Sequence, residues 1–246
     1  MSFAEPEEIT FPSGNLRLQG FIHRPEGDAP YPAILLNHGS EHPKSGRLIA
    51  EPFVSRGYLV FFPHRRGQGR SSDQGAYIMD VIRQEPLSTR SQRFVALQET
   101  HQEDVVAALH YLKQHSDVDT RRMAIAGCSF GGIQTVLSAE KDLGLRAAIA
   151  FAPAAMSWAK VPELRSRLIQ AVRSATVPLL FIQAKNDYDL SPTKAMAQEL
   201  QKQNKPHKLF IFPEFGKTPA EGHSFCARDA QIWGDAIFAF LESTMP

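Results

Sequence analysis

The sequence is short of cysteine, of net charge and of long apolar runs, and each shortage closes off a class of protein. Two cysteines in 246 residues, Cys128 and Cys226, are too few for a disulfide framework and lack the spacing of a zinc site. A reduced, cytoplasmic protein is expected, with Cys128 as a small buried filler and Cys226 merely near His223 in sequence. Lys and Arg total 27 against 26 Asp and Glu, a formal net charge of +1, so no basic field invites nucleic acid or a membrane surface. No apolar stretch approaches the roughly 20 residues of a membrane span. The first residues carry Glu5, Glu7 and Glu8 where a secretory signal would be basic and then apolar. No H-E-x-x-H or cluster of His and Cys occurs, so neither a metal nor a cofactor is expected. The partner to look for is a small molecule.

Composition favours a folded chain: 43% of residues are hydrophobic and 22% charged, ordinary values for a globular protein. Apolar β-type runs at Leu16 to His23, Pro32 to Asn37, Tyr58 to Phe62, Met123 to Ala126, Arg146 to Phe151, Pro178 to Gln183 and Lys208 to Phe212 alternate with helical patterns. Runs apolar on both faces are the mark of buried parallel strands. Val105, Ala108, Leu109 and Leu112 keep helical spacing, as do Ile133, Val136 and Leu137, and Ile232, Trp233, Ala236, Ile237 and Phe240. Ser191 before Pro192 predicts a helix opening with Ser191 as its cap. The expectation is a single α/β domain over residues 1–246, a doubly wound, mostly parallel sheet with helices on both faces. Only 73–100 breaks the rhythm. It is either a small cap or a surface excursion, and its second half can lengthen the helix around Val105.

The sharpest local pattern is Gly127-Cys128-Ser129-Phe130-Gly131-Gly132, which contains G-x-S-x-G. A chain of this length matches that pattern by chance roughly one time in ten, but here it joins an apolar run to a helical one. That is the strand-turn-helix in which a serine is held on a strained elbow. A serine hydroxyl needs a base to take its proton and an acid to orient the base. After the run Pro178 to Gln183 come Asp187 and Asp189, and after Lys208 to Phe212 comes His223. The chain order Ser, Asp, His, each past a different strand end, matches that arrangement, with Ser129, His223 and one of the two carboxylates, Asp187 or Asp189, as the candidate catalytic residues.

An oxyanion forming on a substrate needs preorganised N–H donors. Phe130 N–H, next to the serine, is one candidate; Asn37-His38-Gly39-Ser40-Glu41 supplies the other, Ser40 N–H, with Gly39 N–H as alternative. The stretch His64-Arg65-Arg66-Gly67-Gln68-Gly69-Arg70 lacks the glycine spacing of a phosphate-binding loop.

Taken together, Asn37-His38-Gly39-Ser40, Pro63 to Ser71, the serine turn, Gln183-Ala184-Lys185-Asn186-Asp187 and Glu221-Gly222-His223 make the chain resemble an α/β-hydrolase of the dienelactone hydrolase type, bordering on the prolyl-oligopeptidase-like esterases. The resemblance runs from Leu16 to Leu241 and implies a sheet of about eight strands, a Ser-Asp-His triad, an oxyanion hole and hydrolysis without a metal. Asp187, three residues after Ala184, stands where related hydrolases carry the acid and is implied as that acid over Asp189. Dienelactone hydrolases proper carry cysteine at the elbow, where this chain has Ser129. The implied substrate is a small carboxylic ester, of short acyl or aryl type, or a lactone. In the same loops Arg65 or Arg66 would meet the scaffold or a substrate carboxylate. Glu41 and His64 are further substrate-contact candidates, and Tyr77, Ile78 and Met79 are expected to wall the pocket. Two other readings stay open: a peptidase or amidase, although prolyl peptidases carry a large extra domain for which 246 residues leave no room, and a binding protein on the same fold without catalysis.

Overall fold

The computed structural model describes residues 4–228 and 230–246. Eight strands build one sheet: β1 (Glu7–Ser13), β2 (Leu16–His23), β3 (Tyr31–Asn37), β4 (Leu59–Pro63), β5 (Val118–Cys128), β6 (Ala147–Phe151), β7 (Leu179–Ala184) and β8 (His207–Phe212). Between them lie α1 (Arg47–Val54), α2 (Ile78–Gln84), α3 (Leu87–Lys113), α4 (Phe130–Ala139), α5 (Pro162–Ser174), α6 (Ser191–Lys202) and α7 (Pro219–His223), and the chain closes with α8 (Ala230–Thr244). The sheet order is β1-β2-β4-β3-β5-β6-β7-β8. β2 runs antiparallel to both neighbours and the remaining pairings are parallel.

Side chains alternate across a strand with period two, which lets one strand serve two cores. In β3, Ala33 and Leu35 join a cluster with Ile78, Val105, Ile133, Leu164 and Met196, whereas Ile34 and Leu36 join one with Phe53, Trp233 and Ile237. Helices α2 to α6 therefore cover one face and α1 with α8 the other. This double covering explains why the central strands read as continuous apolar runs rather than as alternating ones.

Strand β1 is absent from the sequence expectation. Its burial alternates, with Ile9, Phe11 and Ser13 inward, but two carboxylates and Pro12 mask the period in so short a run. Pro12 sits in an edge strand, where a missing N–H costs no ladder bond inside the sheet. The helix at Ser191 begins one residue earlier than a serine cap would have it, with Leu190 at the cap position. Ser191 is itself helical, and the Asp189 carboxylate accepts its N–H at 2.8 Å. Residues 73–100 resolve into a short α2 and the first half of a 27-residue α3. Among the described residues, no helix is long and apolar enough to cross a membrane.

Candidate active site

In an open α/β sheet, ligands bind beyond the carboxyl ends of the strands where successive connections diverge. Here β3 lies between β4 and β5, so that point is the gap past the ends of β3 and β5. His38-Gly39-Ser40 leaves β3 there, and Ser129 leaves β5.

Ser129 has φ 55° and ψ −114°, a backbone state that L-residues avoid unless their surroundings impose it. Two contacts impose it. Ser129 N–H donates to Phe151 O of β6 at 2.9 Å, and α4 starts at the next residue. The helix can press against the end of β3 only because residue 131 is glycine, since a Cβ there would stand 2.2 Å from Asn37 O.

Three side chains from three loops meet in a row. His223 Nε2 lies 2.9 Å from Ser129 Oγ, and His223 Nδ1 lies 2.8 Å from Asp187 Oδ1. With Nδ1–H donating to the carboxylate, Nε2 is left to accept from the hydroxyl. Asp187 is buried and its own oxygens are satisfied: Tyr188 N–H donates to Oδ1 at 2.6 Å and Gln183 Nε2 to Oδ2 at 2.8 Å. Asp189 points instead to the start of α6. Such a row can draw the hydroxyl proton toward the imidazole while the carboxylate holds the ring and the charge that forms on it.

The loops that carry the acid and the histidine are tied to each other. The Asn186 carboxamide donates to Phe215 O and accepts from Phe215 N–H, both at 2.9 Å, as a strand neighbour would. Thr218 and Glu221 form a capping box at the start of α7, whose last residue is His223. Neither Gln183 nor Asn186 stood out in the sequence, because a lone amide carries no motif.

At the other wall, Gly39 N–H donates to Glu41 Oε1 at 3.1 Å, which places Glu41 beside the loop and takes up one of the two candidate donors. Among the described residues, no hydrogen bond within the protein engages Ser40 N–H or Phe130 N–H. Tyr77 is half-buried, stacks on His42 and donates its hydroxyl to Ser40 O at 2.7 Å.

Several candidate substrate contacts lie elsewhere than expected. Ile78 is 1% exposed and belongs to the core, with Met79 packed on that core; helix α2 turns its apolar side to the sheet and so anchors the excursion. His64 is fully buried, its Nε2–H given to Lys44 O at 2.8 Å while Nδ1 accepts from Arg70 N–H at 2.8 Å. Burial holds its pKa down, at about 4, and holds that of His38 well below the usual histidine range. Arg65 is 2% exposed, and a guanidinium enclosed in this way has no face to offer a substrate carboxylate. Burial lowers its pKa to about 10. Arg66 meets the scaffold: its Nη2 lies 2.7 Å from Asp104 Oδ1 and its backbone N–H 3.0 Å from Oδ2.

The cysteines also depart from expectation. Cys128 and Cys226 are joined in a disulfide across 98 residues, so neither is a free thiol or an idle filler. Spacing along the chain gave no hint, because the partners are brought together only when the serine turn and the histidine loop meet. Among the described residues, no group of three or more His, Cys, Asp or Glu side chains is arranged to hold a metal ion.

Comparison with known proteins agrees with this architecture. Acylaminoacyl peptidase from Pyrococcus horikoshii superposes with a TM-score of 0.75 at 21% identity, over 100% of this chain and 42% of that one. A Klebsiella pneumoniae protein assigned to the dienelactone hydrolases superposes with a TM-score of 0.70 at 19% identity, over 97% and 98% of the two chains. At such identities the likeness is one of fold, the α/β-hydrolase fold. In sequence, the quorum-quenching protein AidA of Acinetobacter baumannii is 27% identical over 150 residues, 60% of this chain and 44% of its own length. An uncharacterized peptidase, YuxL of Bacillus subtilis, is 27% identical over 138 residues, 53% of this chain and 19% of its own. Both matches thus span less than half of the relative. The dienelactone hydrolase family model, in contrast, matches residues 18–239, from within β2 to within α8, and the chain belongs to the dienelactone hydrolase family.

Proposed function

We propose that this chain is a serine hydrolase of carboxylic esters, acting on short acyl or aryl esters or on lactones. The observation that carries the reading is the hydrogen-bonded row from Ser129 Oγ through His223 to Asp187, set on a serine of strained conformation. In this reading Ser129 Oγ attacks the ester carbonyl as His223 Nε2 takes its proton. His223 then gives that proton to the leaving alcohol, and the acyl group stays on Ser129. A water molecule, deprotonated by the same nitrogen, releases the acid. Asp187 keeps the imidazole in the tautomer with Nδ1 protonated and offsets its positive charge. The oxyanion is held by Phe130 N–H and Ser40 N–H. Ser40 is preferred to Gly39 because Gly39 N–H is already engaged by Glu41.

The relatives give a specific reason to weigh amide cleavage as well, since one of them is described as a peptidase and the same row of groups serves both reactions. A bonded cysteine pair suits an oxidising setting, whereas the cytoplasmic expectation rested on unpaired thiols.

Labelling with a fluorophosphonate and hydrolysis of p-nitrophenyl esters of graded acyl length, beside peptide p-nitroanilides, tests the assignment. Label on Ser129, ester turnover, and a loss of about 10⁴-fold in kcat on Asp187→Asn are expected. Turnover that survives Ser129→Ala would reject it, and anilide turnover above ester turnover would move the reading to the peptidase.

A further inference from the structure

Arg65 is among the largest fully buried side chains, and among the described residues no carboxylate lies within ion-pair distance of it. An enclosed cation with no carboxylate in contact is costly, although Glu41 and Asp104 act on it from farther off, so what it faces is informative. Its Nη1 donates to His38 O at 2.9 Å and its Nη2 to Gly39 O at 2.6 Å, two successive carbonyls of the loop after β3. Gly39 O has a second donor. His38 Nε2 accepts Arg65 N–H at 3.3 Å, which leaves His38 Nδ1–H to donate to Gly39 O at 2.9 Å. Both lone pairs of that one oxygen are therefore occupied from the protein side.

A peptide group is planar and trans, so its C=O and N–H point in opposite directions. Holding Gly39 O inward turns the N–H of the same peptide, that of Ser40, outward, and among the described residues Ser40 N–H has no acceptor within the protein. The following peptide is fixed too, because Ser40 O accepts from Tyr77 Oη at 2.7 Å and from Gln68 Nε2 at 3.1 Å. A charged donor on the carbonyl also polarises the amide, which makes its N–H the stronger donor.

We propose that Arg65 is a positioning residue of the oxyanion site: by gripping His38 O and Gly39 O from the core side, it aims and polarises Ser40 N–H toward the oxygen of the reacting carbonyl. The proposal rests on the serine hydrolase reading above. It assigns to Arg65 an effect on the step in which negative charge develops, and little effect on binding of the uncharged ester.

The test compares wild type with Arg65→Met, which removes the charge, and Arg65→Lys, which keeps it but cannot span two carbonyls. For each folded variant, kcat and KM are measured on a p-nitrophenyl ester, together with the affinity for a trifluoromethyl ketone, which forms a tetrahedral oxyanion on serine, relative to its methyl ketone counterpart. Arg65→Met is expected to lower kcat by about 10²- to 10³-fold with KM within about twofold, and to reduce the trifluoromethyl preference by a similar factor. Arg65→Lys is expected to recover part of both. Should Arg65→Met fail to fold, Arg65→Lys alone decides, with a loss of roughly tenfold in kcat and in the preference expected. A folded variant that keeps the wild-type kcat, or one that loses kcat while the preference stays at the wild-type value, overturns the assignment. If wild type itself forms no adduct at Ser129, the hydrolase reading falls and the Arg65 proposal with it; if wild type reacts and the variants match it, the Arg65 proposal falls alone.

Discussion

Gln183 Nε2 stands 2.8 Å from Asp187 Oδ2, so the carboxyl end of β7 supplies a donor to the carboxylate that faces His223. The same amide accepts from Thr193 Oγ1 at 2.8 Å and is locked in one orientation. A donor to a buried carboxylate is worth a few kcal/mol at most. Gln183→Leu is expected to lower kcat on the order of 10- to 100-fold, and Gln183→Glu, which sets a second carboxylate against the first, to lower it further. Steady-state kinetics on one ester check this; equal kcat values for wild type and Gln183→Leu would show that the acid needs no such support.

The pairing of Cys128 with Cys226 closes a loop of about 100 residues, for which the chain-entropy account gives a stabilisation of up to ~5 kcal/mol. Cys226→Ser should lower the melting temperature by roughly 10 °C. Cys128→Ala should do the same, and the double substitution should add little to either, because the two residues act as one cross-link. Differential scanning fluorimetry reads the result, and a non-reducing peptide map should recover the linked pair. Losses that simply add would mean that the cysteines are not joined.

His64 is held neutral chiefly by burial, and a proton on Nδ1 would also displace the Arg70 N–H. Its pKa is about 4 in the folded protein and the ordinary value for histidine is about 6.5. Between those pH values the unfolded chain binds a proton that the folded chain does not, so this stability is present above pH 6.5 and is lost as the pH falls through that window. The loss reaches roughly 3 kcal/mol by pH 4. Urea midpoints should drop from pH 7 to pH 4.5, and His64→Gln, which can still donate and accept, should flatten that slope. An unchanged slope would assign the acid sensitivity to other groups.

Ile78 fills core space beneath α2, so Ile78→Ala should cost about 2 to 5 kcal/mol and leave the ranking of short against long acyl esters as it is in wild type. A changed ranking with an unchanged melting temperature would return Ile78 to the pocket wall.

The doubly covered strands were readable because each is apolar on both faces, and Ser129, Asp187 and His223 were readable because chain order past strand ends is itself a pattern. What stayed hidden has a common physical character. The sequence leaves Arg65 between the scaffold and a substrate carboxylate, and only the fold reveals that the carbonyls of a loop 26 residues earlier receive it. Ile78, expected in the pocket wall, is apolar enough for either place, and the choice between pocket and core depends on which way a seven-residue helix faces. Strand β1 was masked by glutamates that face solvent.

Because the bond between Cys128 and Cys226 encloses β6, β7 and β8, the half of the sheet that bears Asp187 and His223 is a covalent ring whose closure lies beside the serine. A protease cut inside that ring, for instance in the exposed stretch around Asp142 and Gly144 that links α4 to β6, would not release a fragment. The nicked species would migrate as the whole chain until reduced, and Ser129 would remain tethered to the piece that carries Asp187 and His223.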